Sequence, residues 1–305
     1  MGEDVVPDRE RVVEAVFDAV AETAPEVRAA LPGRRVESGT ENPSGESVLA
    51  ADEYADDLLA ERIAAVDGVG TYASEERPEP VDCGEGLSVA VDPLDGSSNL
   101  KSNNAMGTVV GVYDAPLPAP GTALVGAGFV LYGPITTMVV ATETGVREEV
   151  IGNGAGADAA TDAGATPASG VSREVVTADL TLPERPTVYG FGGRVPDWPD
   201  DFRAFARGVE EDLKLRYGGA MVGDVNQVLT YGGVFAYPAL ADAPDGKLRL
   251  QFEANPIAYV VERAGGASSD GERSVLEVPA GDLHERVPLH VGNEALIDRL
   301  EAALG

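Results

Sequence analysis

The run "GLSVAVDPLDGSSN", residues 86 to 99, restricts the fold more than any other stretch of the chain. Leu87, Val89 and Val91 alternate with smaller residues, the period of a β-strand. That strand delivers Asp92 to its end, with Asp95 three positions on and Pro93 between them. Proline lacks the N–H that a central ladder needs, so the chain is expected to turn there and leave both carboxylates free to converge. Oxygen ligands of this kind suit Mg2+ or Mn2+. Gly96 then permits a tight backbone path, and Ser97, Ser98 and Asn99 can open a helix whose N–H groups cradle an anion. Metal and phosphate would then meet at one corner of a sheet. Taken alone, such an aspartate pair is also ordinary turn chemistry.

Two further stretches add acid at strand ends, where open α/β sheets build their sites. "YASEE", residues 72 to 76, closes an apolar run with Glu75 and Glu76, and "RLQFEANP" brings Glu253 off an expected strand before a helix. Around them, Val12, Val13, Val16, Phe17 and Val20 predict a buried amphipathic helix over 8–30 with Asp8 as its cap, and a second helix is expected over 47–66. "ALVGAGFVLYGPITTMVVATETG" reads as a hairpin about Gly133 and Pro134, "GAMVGDVNQVLTYGG" as a helix and "KLRLQFE" as a strand. Residues 152–170, rich in Gly, Ala, Asp and Thr, read as a flexible surface loop near a subdomain boundary. This alternation implies an α/β layered fold whose strand order the sequence leaves open.

The 52 acidic residues against 22 basic ones give a formal net charge of −30, which argues against nucleic acid or an anionic membrane as partner. Any bound phosphate must be met by metal ions or local donors. The only lysines are Lys101, Lys214 and Lys247, and the acidic excess is spread along the chain. Such a surface suits concentrated salt, where screening makes self-repulsion tolerable. The melting temperature is therefore expected to fall as KCl is lowered from molar concentrations, and a melting temperature indifferent to KCl would contradict this. Cys83 alone forms no intrachain disulfide, and His284 and His290 alone build no histidine metal cluster. "MGEDVVPDRERVVEAVF" is charged from its third residue and no run of 18 apolar residues occurs, so a reducing cytoplasm is the expected location.

"VAVDPLDGSSNL" resembles the signature of the class I fructose-1,6-bisphosphatases of animals, plants and bacteria, within the lithium-sensitive, metal-dependent sugar-phosphate phosphatase superfamily. "ASEE", "GFVLYGPITTMVVAT", "RYGGAMVGDVNQVLTYGGVFAYP", "GKLRLQFEANPIAYVVERAGG" and "DLHERVPLHVGN" follow the same family in order. The resemblance implies an α/β/α/β/α layered sandwich of two intimately packed subdomains, residues 1–171 with the metal site and 172–305 with the sugar-phosphate site. It implies a gluconeogenic enzyme that removes the 1-phosphate of fructose 1,6-bisphosphate with two or three Mg2+ ions per subunit, Mn2+ substituting.

Carried over by motif, Glu75, Glu76, Asp92, Asp95, Glu253 and the Leu94 carbonyl would bind the metals. Carboxylates this close repel one another without cations, so site and metal form together. Asp95, Gly96, Ser97 and Ser98 would hold the 1-phosphate, and Asp52 with Glu76 would take a proton from the attacking water. For Asp52 the alternative is a solvated helix face beside Asp56 and Asp57. Glu46 matches the acidic position of a mobile catalytic loop, where the family usually has aspartate. Lys247, Tyr217 and Tyr237 would meet the sugar phosphate, with half-buried packing the alternative for both tyrosines. Arg216 matches an arginine that reaches a neighbouring subunit's phosphate site, which implies a homo-oligomer, dimer or tetramer. Arg249 is expected to be structural, Met221 to pack in the core and Asp224 to lie near the sugar. Ser97 and Ser98 lack an adjacent histidine, which disfavours a covalent route.

Two positions depart from the family. Gly86 and Leu87 stand where animal members carry a Lys-Tyr pair of an AMP site, so inhibition through that site is not expected. In "VYGFGGRVPDW" a family asparagine at the 6-phosphate is replaced near Phe191, with Arg194 the candidate substitute. Sedoheptulose-1,7-bisphosphatase remains a neighbouring reading, since one more hydroxylated carbon is a small difference for a pocket to reject. Inositol monophosphatases typically take their last acidic ligand from a Trp-Asp pair opening a helix, unlike Glu253 here. A non-catalytic sugar-phosphate sensor on the same fold is the reading outside enzymes, and the retained acidic set argues against it.

Overall fold

The computed structural model describes residues 9–45, 47–153 and 170–305. The expected cap at Asp8, the catalytic-loop Glu46 and all but the margins of the 152–170 loop lie outside the described residues.

Among the described residues the two larger sheets alternate with three helical layers. The larger sheet has eight strands in the spatial order 171–177, 145–153, 136–142, 124–132, 106–113, 87–95, 69–74 and 81–82. Its pairings are antiparallel except for the parallel pair Val69–Ser74 and Leu87–Asp95. Helices Arg9–Ala30 and Ala50–Ala64 cover one face, where Val13, Phe17, Val20 and Leu59 pack on Val89, Val91, Val110 and Met138. The opposite face, with Ala90, Val109, Phe129 and Val139, buries helices Met221–Tyr231 and Asn255–Arg263. A strand covered on both sides reads as continuously apolar, and every residue of Met106–Tyr113 is buried.

The same two helices rest on the second sheet, ordered 214–215, 188–191, 233–237, 289–292 and 267–269, through Phe235, Leu289 and Val291. Its other face meets helices Asp200–Glu210 and Glu294–Leu304, where Val234 and Ala236 pack on Phe202, Phe205 and Leu300. Side chains of a strand alternate in direction, so Val234, Phe235 and Ala236 serve two different layers. The α/β/α/β/α sandwich is thereby present. Strand Val171–Thr177 belongs to the first sheet, and the second sheet begins at Val188.

Four local expectations need correction. Residues 47–49 form a short strand, and the helix starts at Ala50. Pro93 does not end its strand, which runs on to Asp95. Asp92 pairs with Val109 and Asp95 with Gly107, so three steps on one strand oppose two on the other. The missing proline N–H is thus absorbed in a bulge, which re-aims the side chains around it. "KLRLQFE" is a strand only at Leu248–Arg249, and Leu250–Ala254 is a π-helical turn. Glu253 therefore projects from that turn rather than from a strand end.

Candidate active site

Parallel register assembles the first half of the site. Ser74 lies beside Val91, and the Glu75 N–H continues the ladder to the Val91 carbonyl at 3.0 Å, so the next residues, Glu75 and Asp92, emerge side by side. The Asp92 carboxylate accepts the Leu94 N–H at 2.9 Å, which folds it over the bulge. From the far side of the groove the π-helical turn brings Glu253, whose Oε2 accepts the Arg249 N–H at 2.6 Å. Glu75, Asp92 and Glu253 are all buried, and one carboxylate oxygen from each lies within 4.8 Å of the other two. Arg249, itself buried, approaches the Glu75 carboxylate at 3.2 Å. Its expected structural role thus includes offsetting charge at the cluster.

These groups line a cavity of about 400 Å3 together with Asp52, Glu76, Leu94, Asp95, Gly96, Ser97, Ser98, Tyr237 and Lys247. Asp52 and Asp56, four residues apart, are buried on one face of their helix, whereas Asp57 is exposed. The solvated-face reading of Asp52 is therefore wrong. Asp52 Oδ2 accepts the Leu49 N–H at 2.7 Å at the helix start, where an acidic group is also favoured by the helix dipole. The next turn holds the site's flank: Asp56 accepts the Tyr72 hydroxyl at 2.8 Å and the Arg77 Nε at 2.6 Å, directly after Glu76.

Gly96 has φ +71°, and a Cβ there would collide with Ala220. Only glycine lets the signature corner approach the second sheet's loop so closely. That approach is reinforced by the Val222 N–H to Asp95 Oδ2 at 2.7 Å and by Asn99 Nδ2 to the Gly218 carbonyl at 2.9 Å. Asp224, buried, accepts the Gly218 N–H at 2.6 Å and fixes the loop that carries Arg216 and Tyr217. Asn99 ties the two halves together, and Asp224 holds the loop that receives it; the sequence signals for them are the Asn that closes the signature and the Gly-Gly pair ahead of the helix.

The remaining candidates divide. Tyr237 and Lys247 lie in the cavity, while Arg216 and Tyr217 are exposed, with the Arg216 guanidinium 5.8 Å from the Tyr231 ring. Met221 is buried, as expected of a core residue. Phe191 is buried against Tyr189, Trp198 and Phe202, and Arg194 is exposed and bonded to Asp197 at 2.9 Å. Neither lines the cavity.

Crowded, buried carboxylates resist ionisation. Burial, reinforced by Glu75, Asp52 and Asp56, pushes the Glu76 carboxyl up to about 8. Burial likewise raises Asp95 to about 7 and Asp52 to about 6, and holds Asp92 and Glu253 well above the ordinary carboxylate range with Glu75 as the chief repelling neighbour. Glu76 Oε2 is buried with no hydrogen-bond partner among the described residues. An acid cluster of this kind, with an orphaned oxygen at its edge, fits divalent cations: hard cations take carboxylate oxygens and supply the missing countercharge.

Residues 13–160 match the family described as fructose-1-6-bisphosphatase, N-terminal domain, and residues 182–305 its C-terminal domain. The chain is 58% identical over 296 residues to the class 1 fructose-1,6-bisphosphatase of Halobacterium salinarum, covering 96% of this chain and 97% of that one. It is 58% identical over 294 residues to the enzyme of the same description from Natronomonas pharaonis, covering 96% and 98%. The crystal structure of Leishmania major fructose-1,6-bisphosphatase in holo form superposes with a TM-score of 0.86 at 24% identity, over 97% of this chain and 95% of the other.

Proposed function

The chain belongs to the fructose-1,6-bisphosphatase family, and from that premise we propose that it hydrolyses the 1-phosphate of fructose 1,6-bisphosphate to fructose 6-phosphate and phosphate, a gluconeogenic step. The observation that carries this reading is the convergence of Glu75, Asp92 and Glu253 in one cavity with Lys247 and Tyr237. Glu75, Glu76, Asp92, Asp95, Glu253 and the Leu94 carbonyl would hold two or three Mg2+ ions, with Mn2+ able to replace them. When bound, such ions supply Lewis acidity at the phosphoryl oxygens and countercharge for the leaving oxygen.

The chain's own residues do the rest. The backbone at Gly96, Ser97 and Ser98 opens a helical turn, whose first N–H groups have no partner within the turn and so can bind the phosphate oxygens. Glu76, a carboxyl crowded by Glu75, Asp52 and Asp56, is the group that would act as general base. It accepts the proton of the attacking water at the unpartnered Oε2, with Asp52 beside it sharing the charge. Lys247 and Tyr237, from the second half of the chain, set the sugar phosphate at a fixed distance from the acidic cluster and so supply orientation. Arg216, exposed beside Tyr217, would serve a neighbouring copy in a homo-oligomer, and the enzyme would work in the cytoplasm.

Phosphate release from fructose 1,6-bisphosphate, sedoheptulose 1,7-bisphosphate and inositol 1-phosphate, compared in molar KCl with Mg2+ and with EDTA, tests the substrate assignment. Preference for the fructose substrate is expected. Comparable turnover of the sedoheptulose substrate would mean that burial of Phe191 and the outward Arg194 leave the far end of the pocket unselective. No Mg2+-dependent release from any of the three would favour the sensor.

A further inference from the structure

A glutamine with no exposed surface lies two residues before the Glu253 carboxylate. Gln251 uses its whole amide on one backbone position: Oε1 accepts the Ala119 N–H at 3.0 Å and Nε2 donates to the Ala119 carbonyl at 2.8 Å. Its own carbonyl accepts the hydroxyl of Tyr113, another fully buried residue, at 3.0 Å. Gln251 is absent from the cavity lining that includes Glu253, so the two side chains leave the turn on different sides. The turn is held from behind by Gln251 and presents Glu253 in front.

Such holding is needed because the segment 250–254 is a π-helical turn, a form rarer and less favourable than the α-helix that follows it. Relaxation to α geometry would remove one residue's worth of slack and swing Glu253 away from Glu75 and Asp92. Burial of Leu250 and Phe252 adds packing that is not directional, and the two neighbouring hydrogen bonds do not prevent this. The bond from Glu253 Oε2 to the Arg249 N–H lies within the same segment, and Leu250 N–H to the Glu285 carbonyl at 2.8 Å fixes only the start of the turn. The three bonds of Gln251 cross to Tyr113, at the end of its strand away from the Asp92 and Asp95 pairings, and to Ala119 beyond it.

We propose that Gln251 is a positioning residue for metal binding, its amide lock on Ala119 keeping the π-helical turn in the form that places Glu253 with Glu75 and Asp92. This rests on the cluster being a divalent-cation site. The test is calorimetric titration of Mg2+ into the substrate-free full chain in molar KCl, for the unsubstituted protein, Gln251→Leu and Tyr113→Phe. Gln251→Leu is expected to weaken Mg2+ binding by tenfold or more, and Tyr113→Phe, which removes only the hydroxyl bond to the turn, by about threefold, in line with the loss of buried hydrogen bonds. In turnover assays the Mg2+ concentration for half-activity should rise in parallel while the KM for fructose 1,6-bisphosphate changes less than threefold. Gln251→Leu leaves the Ala119 N–H and carbonyl unsatisfied, so if that variant does not fold, Tyr113→Phe decides alone. Folded variants that bind Mg2+ as tightly as the unsubstituted protein would overturn the proposal. Failure of the unsubstituted protein itself to bind Mg2+ would instead overturn the metal-site reading.

Discussion

Asp92→Asn lowers phosphate release at least about a thousandfold, the scale on which loss of one preorganised charge-stabilising group is felt, while the fold survives. Asparagine keeps the Oδ1 that accepts the Leu94 N–H, so the bulge is preserved. What disappears is one acid, with the negative charge it can carry, from a group of five carboxyls, Glu75, Glu76, Asp92, Asp95 and Glu253, of which all but the half-buried Glu76 are buried. Without metal that charge is a liability, because buried like charges cost stability. The melting temperature of the variant in EDTA should therefore equal or exceed that of the unsubstituted protein, and the rise on adding Mg2+ should be lost. Retention of more than a tenth of the activity would remove Asp92 from the reaction.

The second large effect is a pH-dependent dependence on metal. Glu76, Asp95 and Asp52 are raised to about 8, 7 and 6 by burial first and neighbouring charge second, against about 4 for a carboxyl in an unfolded chain. A carboxyl with a raised folded pKa holds a proton in the native state that the unfolded state releases. Its contribution is complete below the unfolded value and is lost as pH rises through the folded one. Metal-free protein should lose stability steadily from about pH 4 to about pH 8, by about 1.4 kcal/mol per pH unit for each proton retained on folding. Mg2+ displaces those protons, so the gain in melting temperature on adding it should grow with pH across that window, and protons should be released on binding. A metal-induced gain that is the same at pH 6 and pH 8 would contradict the cluster as the binding site.

How much of this was legible in the sequence depends on the range of the forces involved. Strand period and the glycine after Asp95 marked the signature corner because both are local, and Gly96 does adopt the left-handed backbone that such a corner needs. Pro93 was misplaced because a bulge depends on the partner strand, here Val109 to Gly107, which no local pattern reveals. "LRLQFE" alternates as a strand would, with Leu248, Leu250 and Phe252 buried, but Arg249, Gln251 and Glu253 are buried as well. The turn is decided by Gln251 meeting Ala119, 132 positions away. Asp52 looked like one of several solvent-facing acids, and only the packing of its helix separates it from the exposed Asp57. Strand Val171–Thr177, largely exposed, carries no apolar stripe; it is held by Arg173, bonded to Glu149 at 2.6 Å and to Asp18.

On this reading the acidic cluster serves a metal-dependent attack on the 1-phosphate of a sugar bisphosphate. Phosphorus NMR of fructose 1,6-bisphosphate with the enzyme and Mg2+ in molar KCl, followed by EDTA, tests it most directly. The 1-phosphate resonance should disappear, the 6-phosphate resonance should remain as inorganic phosphate grows, and EDTA should stop the reaction. Loss of the 6-phosphate, or hydrolysis that continues undiminished after EDTA, would contradict it.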